Sequence, residues 1–261
     1  MPDPAVAPAV AVERAADGVL HLALDRPEKK NAITRAMYAD MADALTDAAG
    51  DDAVRAVVLS GRGGVFTAGN DLGDFMQEPP TGPESPVFRF LAAAVSFPKP
   101  LVAAVAGPAV GIGTTVLLHC DLAYASPNAV FRMPFVDLGL VPEAASSLLL
   151  PRLAGPARAA ELLLFGEPFT AETAYEVGLV NAVVPGDVAA HAVERAAALA
   201  RKPPAAVRHT KALLRRPTAD AVAETLAHEG RLFVERLGSP EAQEAFTAFF
   251  EKRPPDFSRF A

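Results

Sequence analysis

Tryptophan is missing from this 261-residue chain, and cysteine occurs once, as Cys120. A lone thiol excludes an internal disulfide framework and a thiolate metal cage, and its apolar setting marks it as core packing rather than a reactive group. That usage fits a reduced, cytoplasmic compartment. Basic blocks are also absent. With 24 Lys and Arg against 31 Asp and Glu, the formal charge is −7. This is a poor basis for neutralising phosphates, so no nucleic-acid partner is expected. The histidines His21, His119, His191, His209 and His228 show no metal-ligand spacing, and no metal is expected. Ser146 and Ser147 lack a neighbouring His/Asp set, which argues against a serine hydrolase. The Pro/Ala-rich start has neither a basic region followed by an apolar run nor an Arg-rich transit pattern, so no targeting segment is evident. Nor is a membrane span expected. Leu101–Leu118 is interrupted by Gly107, Pro108, Gly111 and Gly113, and reads as a buried strand, a glycine turn and a core helix.

What the chain does have is length and apolar bulk. At this size a domain buries roughly 75% of its unfolded surface, and 51% of the residues are hydrophobic, chiefly Ala and Val. Residues 1–9 read as a loose arm. Two strands, Val10–Glu13 and Val19–Leu24, flank the turn Ala16-Asp17-Gly18. Thr34 is placed to cap a helix over about 35–49. Val54–Ser60 and Leu101–Ala106 have the β-branched, apolar make-up of buried parallel strands. Val65–Phe66, Leu122–Ser126 and Val130–Phe131 read as shorter extended pieces, and residues 78–86 as a loop. Helices are expected over 86–96, 112–120, 144–153, 156–165, 170–177, 187–200, 203–215, 219–237 and 240–251. The order suggests α/β layers first and helices gathered at the C-terminal end.

Two glycine segments stand out. Gly61–Leu72 (GRGGVFTAGNDL) carries a strand end into a turn whose backbone N–H groups are able to face a ligand, since glycine permits positive φ and close approach. Ala104–Leu122 (AVAGPAVGIGTTVLLHCDL) joins a buried strand to a helix start, where unpaired N–H groups favour negative charge. Taken singly, each also fits a tight surface turn or close strand–helix packing. The second lacks both the GxGxxG spacing and the lysine of a phosphate loop.

Together with RPEKKNAI (26–33) and FRMPFVDLGLVPEAASS (131–147), these segments closely resemble the enoyl-CoA hydratase/isomerase, or crotonase, superfamily. The resemblance runs over nearly the whole chain. It implies an α/β fold, a spiral of ββα units over about 10–200. A helical C-terminal region, 201–261, would serve oligomerisation and cover the coenzyme A, although the helical spacing of Leu232, Phe233 and Leu237 fits a helix on the chain's own core equally well. It further implies a homotrimer or dimer of trimers, and an acyl-CoA substrate with no separate cofactor, coenzyme A being part of the substrate. Aligned on the motifs, the N–H groups of Ala68 and Ile112 would form an oxyanion hole for a thioester enolate. Such donors accelerate reaction because the charge they meet develops only in the transition state. Around them, Ala32, Gly69, Asn70, Asp71, Leu72 and Gly111 would contact the substrate. Arg26, Lys29 and Lys30 would meet its phosphates, or form a plain solvated loop. Phe75, Met76, Phe88, Phe97, Phe135 and Leu140 are candidates for an acyl tunnel or for ordinary core.

The resemblance also narrows the reaction. Hydratases of this family use two glutamates, and the matching positions here are Thr115 and Phe135. A carboxylate remains at Glu143, in a segment that resembles the 3,2-trans-enoyl-CoA isomerases of the peroxisomal type, where it would shuttle a proton between C2 and C4. Glu143 also fits a plain helix-start carboxylate complementing the dipole. Asp137 is the next candidate base, with Asp74 and Glu78 on a polar loop, and Asp71 reads as a turn-stabilising group. The competing expectations are a hydratase or other lyase or hydrolase of the same family with relocated acid–base groups, and a non-catalytic acyl-CoA binder.

Overall fold

The computed structural model describes residues 9–260; the loose arm expected at the N-terminus lies, Ala9 aside, outside them. The chain begins with β1 (Val10–Arg14) and β2 (Val19–Leu24), paired antiparallel. Then come α1 (Arg35–Gly50), β3 (Ala56–Gly61), α2 (Leu72–Gln77), α3 (Pro86–Ser96), β4 (Leu101–Val105), β5 (Pro108–Val110) and α4 (Ile112–Thr115). The middle of the chain holds β6 (Leu122–Ala125), β7 (Val130–Arg132), α5 (Ser146–Ala154), α6 (Pro156–Phe165), β8 (Phe169–Thr170), α7 (Ala171–Glu176) and β9 (Ala182–Val183). Four helices follow: α8 (Val188–Ala200), α9 (Pro204–Arg215), α10 (Ala219–Leu237) and α11 (Pro240–Glu251).

The strands form two sheets: β1 to β4 all lie in the larger, and β4 to β7 alternate between the two. The larger has the order β1-β2-β3-β4-β6-β9 and is parallel from β2 onward; the smaller has the order β5-β7-β8. The middle strands β4 to β7 thus feed the two sheets in turn, as in the spiral of ββα units expected. Side-chain alternation explains the two cores. Val57, Leu59, Leu101, Ala103 and Val105 face the main core, while Ala56, Val58, Val102 and Ala104 face the other way. On that outer face Val188, Ala192, Ala196 and Ala200, one helical turn apart, let α8 lie close on the sheet.

Helix α1 starts where Thr34 caps it, accepting the Met37 N–H at 3.3 Å. It buries Met37, Tyr38, Met41, Ala42 and Leu45, and the Tyr38 ring meets Phe90 of α3 at 5.8 Å. The helix expected over 112–120 is regular only to Thr115 and tightens into a 3-10 turn over Val116–His119. The helix expected from 144 begins at Ser146, because Ala144 and Ala145 are held in left-handed conformation, with φ 59° and 54°. The expected strand at Val65–Phe66 is a single bridge at Thr67. Phe233 of α10 and Phe246 of α11 pack into the chain's own core. No described helix is long and apolar enough to cross a membrane.

Candidate active site

The two glycine segments are zipped together. Thr67 pairs with Ala109 through Thr67 N–H to Pro108 O (2.9 Å) and Val110 N–H to Thr67 O (3.0 Å). Three residues beyond each partner of that pair lie Asn70 and Ile112, and both line one cavity. The close approach depends on glycine. Gly69, at φ 89°, has no room for a side chain: a Cβ there would sit 2.9 Å from Val110 O. Gly111, at φ 57° and ψ −118°, occupies backbone space that L side chains rarely enter and turns the chain into α4.

At one of the two expected donor positions the available amide lies two residues on, at Asn70 rather than Ala68. Ala68 N–H donates to Lys30 O at 2.9 Å, and Gly69 N–H to Thr67 Oγ1 at 3.0 Å, so both are consumed by the scaffold. Asn70 N–H has no acceptor among the described residues, because the flanking bonds of its bridge to Ile33 use Gly69 O and Asp71 N–H. Ile112 N–H, first in α4, is likewise unpaired among the described residues. Asn70 is half-buried and Ile112 buried, and N–H groups so placed are seldom left without a partner. Two at one cavity wall make a ready anion site.

Glu143 is buried in the same wall. Its carboxylate accepts a hydrogen bond from the Thr115 hydroxyl, so the position where a hydratase glutamate was sought is occupied by a partner of Glu143. Burial pushes the Glu143 carboxyl up to about 8; the Thr115 bond opposes the rise and the Glu229 charge adds to it. Tyr38 lines the cavity too. Its hydroxyl donates to Asn70 Oδ1, and burial with the nearby Glu143 charge holds its own proton on.

The remaining lining is apolar: Phe75, Phe88, Leu91, Phe135, Leu138 and Leu140, closed by Phe233 and Phe246, with Phe75 and Phe233 edge to face at 6.1 Å. Of the residues expected at the site, Ala68, Gly69, Asn70, Leu72, Phe75, Gly111, Ile112, Phe135, Leu140 and Glu143 all line it. Others lie elsewhere. Met76 is exposed, and Phe97 is core beneath Lys211, whose Nζ stands 5.4 Å from the ring centroid. Asp137 pairs with Arg132 at 2.9 Å, Asp74 accepts the Arg35 N–H at 2.7 Å, and Glu78 pairs with Arg35. None of these three carboxylates lines the cavity.

Arg26 is not free to meet a phosphate. Its guanidinium holds Asp71 Oδ2 at 2.7 Å and Ala32 O at 3.1 Å, which keeps the Asp71 carboxyl below its usual range and fastens the 26–33 loop to the turn. Ala32 is therefore part of that fastening and lies outside the cavity lining. Lys29 and Lys30 are exposed and have no ion-pair partner among the described residues. The Lys30 carbonyl bond to Ala68 keeps this basic pair next to the turn that carries Asn70.

Sequence reasoning missed several supports. Asn31 links the 26–33 loop to the first glycine segment through Nδ2 to Arg62 O (3.0 Å) and Val65 O (2.6 Å). His119, expected as a satisfied core histidine, donates from Nε2 to Ala144 O at 2.7 Å; burial pulls it down to about 4, so it stays neutral. The Cys120 thiol is pushed up to about 12 by burial, which fits the core packing expected of it. Glu229 of α10 was not singled out at all. It accepts Ala145 N–H (2.6 Å), Ser147 N–H (3.0 Å) and Ser147 Oγ–H (2.5 Å) behind Glu143. Left-handed conformation at a residue such as Ala144 or Ala145 costs on the order of 1–3 kcal/mol, so the turn needs these bonds. Only the EG pair at 229–230, a carboxylate inside an otherwise apolar helical face, signals it in the sequence.

Comparison with known proteins identifies the family. Residues 14–259 match the enoyl-CoA hydratase/isomerase family model. The chain is 38% identical over 245 residues to human enoyl-CoA delta isomerase 2, covering 91% of this chain and 62% of that protein, so it spans under two thirds of that relative. It is 35% identical over 241 residues to 2,3-dehydroadipyl-CoA hydratase of Escherichia coli, covering 92% and 94%. The solved structure of Pseudomonas aeruginosa OdaA superposes with a TM-score of 0.90 at 50% identity, over 92% of this chain and 98% of that one. With its ββα spiral, its zipped glycine turns and this match over nearly all of its length, the chain belongs to the enoyl-CoA hydratase/isomerase family.

Proposed function

We propose that this protein converts 3-enoyl-CoA thioesters to trans-2-enoyl-CoA, with Glu143 as the single proton carrier and the N–H groups of Asn70 and Ile112 holding the enolate oxygen. The carrying observation is that Glu143 is the sole carboxylate among the described residues lining the cavity that contains both unpaired amides. Ionised Glu143 takes a proton from C2. The electron pair moves onto the thioester oxygen, giving a dienolate that the two amides stabilise. Glu143 returns the proton to C4 as the double bond shifts from C3–C4 to C2–C3. One base suffices because the chain gains and loses nothing else. An apolar enclosure suits a reaction without water, and a carboxyl raised to about 8 is matched to proton transfer near neutrality.

Hydration is disfavoured by the same geometry. Thr115 and Phe135 supply no second carboxylate, and Asp137 and Asp74 are tied up outside the cavity. Lys29 and Lys30 supply point charges for the phosphates of coenzyme A. We also propose assembly as a homotrimer or dimer of trimers. Leu164 and Phe165, 65% and 67% exposed, and Leu213, Leu214, Phe249 and Phe250 are large apolar groups that a lone chain leaves in water.

Incubation with a 3-enoyl-CoA, followed by the absorbance of the conjugated thioester, tests the reading. Wild type is expected to form product. Glu143→Gln should lose about 10³-fold, the scale of a general acid–base group. Full activity in Glu143→Gln would overturn the assignment.

A further inference from the structure

We propose that Glu229 is a positioning residue for Glu143: its carboxylate clamps the turn that presents Glu143, and helix α10 thereby ties seating of the acyl chain to placement of the proton carrier. This rests on Glu143 being that carrier.

The turn after Glu143 has two consecutive non-glycine residues at positive φ, Ala144 and Ala145, before α5 begins. It is held from two sides. His119 grips the Ala144 carbonyl, and Glu229 grips the Ala145 and Ser147 amides and the Ser147 hydroxyl. Glu229 is itself buried, and burial raises its carboxyl, opposed by the three bonds it accepts. A group that costly to bury is retained where its bonds fix a geometry. The other titratable groups at this junction are Glu143, neutral His119 and, on the exposed side, His228.

The same helix touches the acyl wall. Phe233, four residues on from Glu229 and so on the same face, lines the cavity and meets Phe75. At Gly230 a Cβ would stand 3.3 Å from Phe88 Cε1, so the backbone of α10 lies against a second acyl-wall ring. A substrate tail pressing on Phe233 and Phe88 therefore acts on the helix that carries the clamp. Remote binding of this kind is a known source of kcat when it fixes a reacting group.

The test compares Glu229→Gln and Glu229→Asp with wild type. Gln keeps the volume but removes the charge and turns an amide donor toward a backbone N–H. Turnover is measured on 3-enoyl-CoA substrates of increasing chain length. The Glu143 carboxyl is titrated by 13C NMR in Glu-labelled protein, its resonance assigned by its loss in Glu143→Gln. For the Gln variant we expect a folded protein with kcat down about 100-fold, the scale of a small misplacement. KM should still fall with chain length while kcat no longer rises with it, and the Glu143 titration should move to lower pH. Asp is expected to recover part of kcat. A folded Gln variant with wild-type kcat, or with an unmoved Glu143 titration and an intact kcat dependence on length, would reduce Glu229 to a helix cap and overturn the proposal. If the Gln variant does not fold, Ser147→Ala removes one bond of the clamp and should lower kcat about tenfold, the equivalent of one hydrogen bond to a charged group; no change there would overturn it equally. Absence of isomerisation by the wild type sinks the proton-carrier reading alone, and the titration, which needs no turnover, still decides whether Glu229 governs the Glu143 carboxyl.

Discussion

The carboxyl of Glu143 would ordinarily be ionised at neutral pH, but here it sits behind Thr115 in an aromatic-walled cavity and burial pushes it up to about 8. Two consequences belong to this residue. As a base it works only when ionised, so kcat/KM for 3-enoyl-CoA should fall as pH drops below about 8, and a profile flat from pH 6 to pH 9 would contradict the assignment. The second concerns stability. The folded state holds this proton from the ordinary carboxyl value up to about 8, where the unfolded chain has released it. Folding therefore loses stability as pH rises through that window. Glu143→Gln, which never ionises, should melt above wild type at pH 8 by several degrees, given roughly 2–4 °C per kcal/mol in a chain of this size. Near pH 5 the gap should nearly close, which differential scanning at the two pH values would show.

Also at the residue scale, sequence and structure part company over the oxyanion donors. Motif matching pointed to Ala68, two residues short: only the three-dimensional bond from Ala68 to Lys30 shows that its amide is spent and that Asn70 is the one left open. Arg26 misled for the same reason. A basic residue in a loop reads as a phosphate ligand until its bond to Asp71 is seen. The Glu143 position was legible because the motif around it is local, whereas Glu229 acts from 86 positions away in sequence (229 minus 143) through bonds no spacing rule encodes.

At the scale of elements, the buried strands β2, β3 and β4 and the long helices announced themselves through apolar runs and periodicity. The strands that were missed, β5, β8 and β9, have three, two and two residues, too few for any period to register. The short helix α2 was missed as well. It starts because Asp71 accepts the Asp74 N–H at 3.2 Å, a cap hidden inside what looked like a ligand-binding turn. The glycine turns carry the sharpest expectation here. Gly69→Ala places a Cβ 2.9 Å from Val110 O at a φ of 89°. It should cost about 1–3 kcal/mol of stability and, by shifting the Asn70 amide, about 100-fold in kcat. A folded Gly69→Ala protein with wild-type kinetics would show that the zipped turns do not set the site.

For the whole molecule, the sequence foretold layers and a helical C-terminus, and left open whether the last helices pack on this chain. They do: α10 and α11 close the cavity with Phe233 and Phe246. That leaves Phe249 and Phe250, with Leu213 and Leu214, facing outward. Light scattering on the eluting protein should give three or six times 27.2 kDa; a lone 27.2 kDa species would contradict assembly.

In the proposed reaction one buried carboxylate carries a single proton between two carbons and no water takes part. The most direct measurement uses a 3-enoyl-CoA deuterated at C2, with product mass and deuterium position read by mass spectrometry and NMR. The expected product is trans-2-enoyl-CoA bearing deuterium at C4, with no mass gain of water, formed about 10³-fold more slowly by Glu143→Gln. A product heavier by one water that still forms in Glu143→Gln would contradict it.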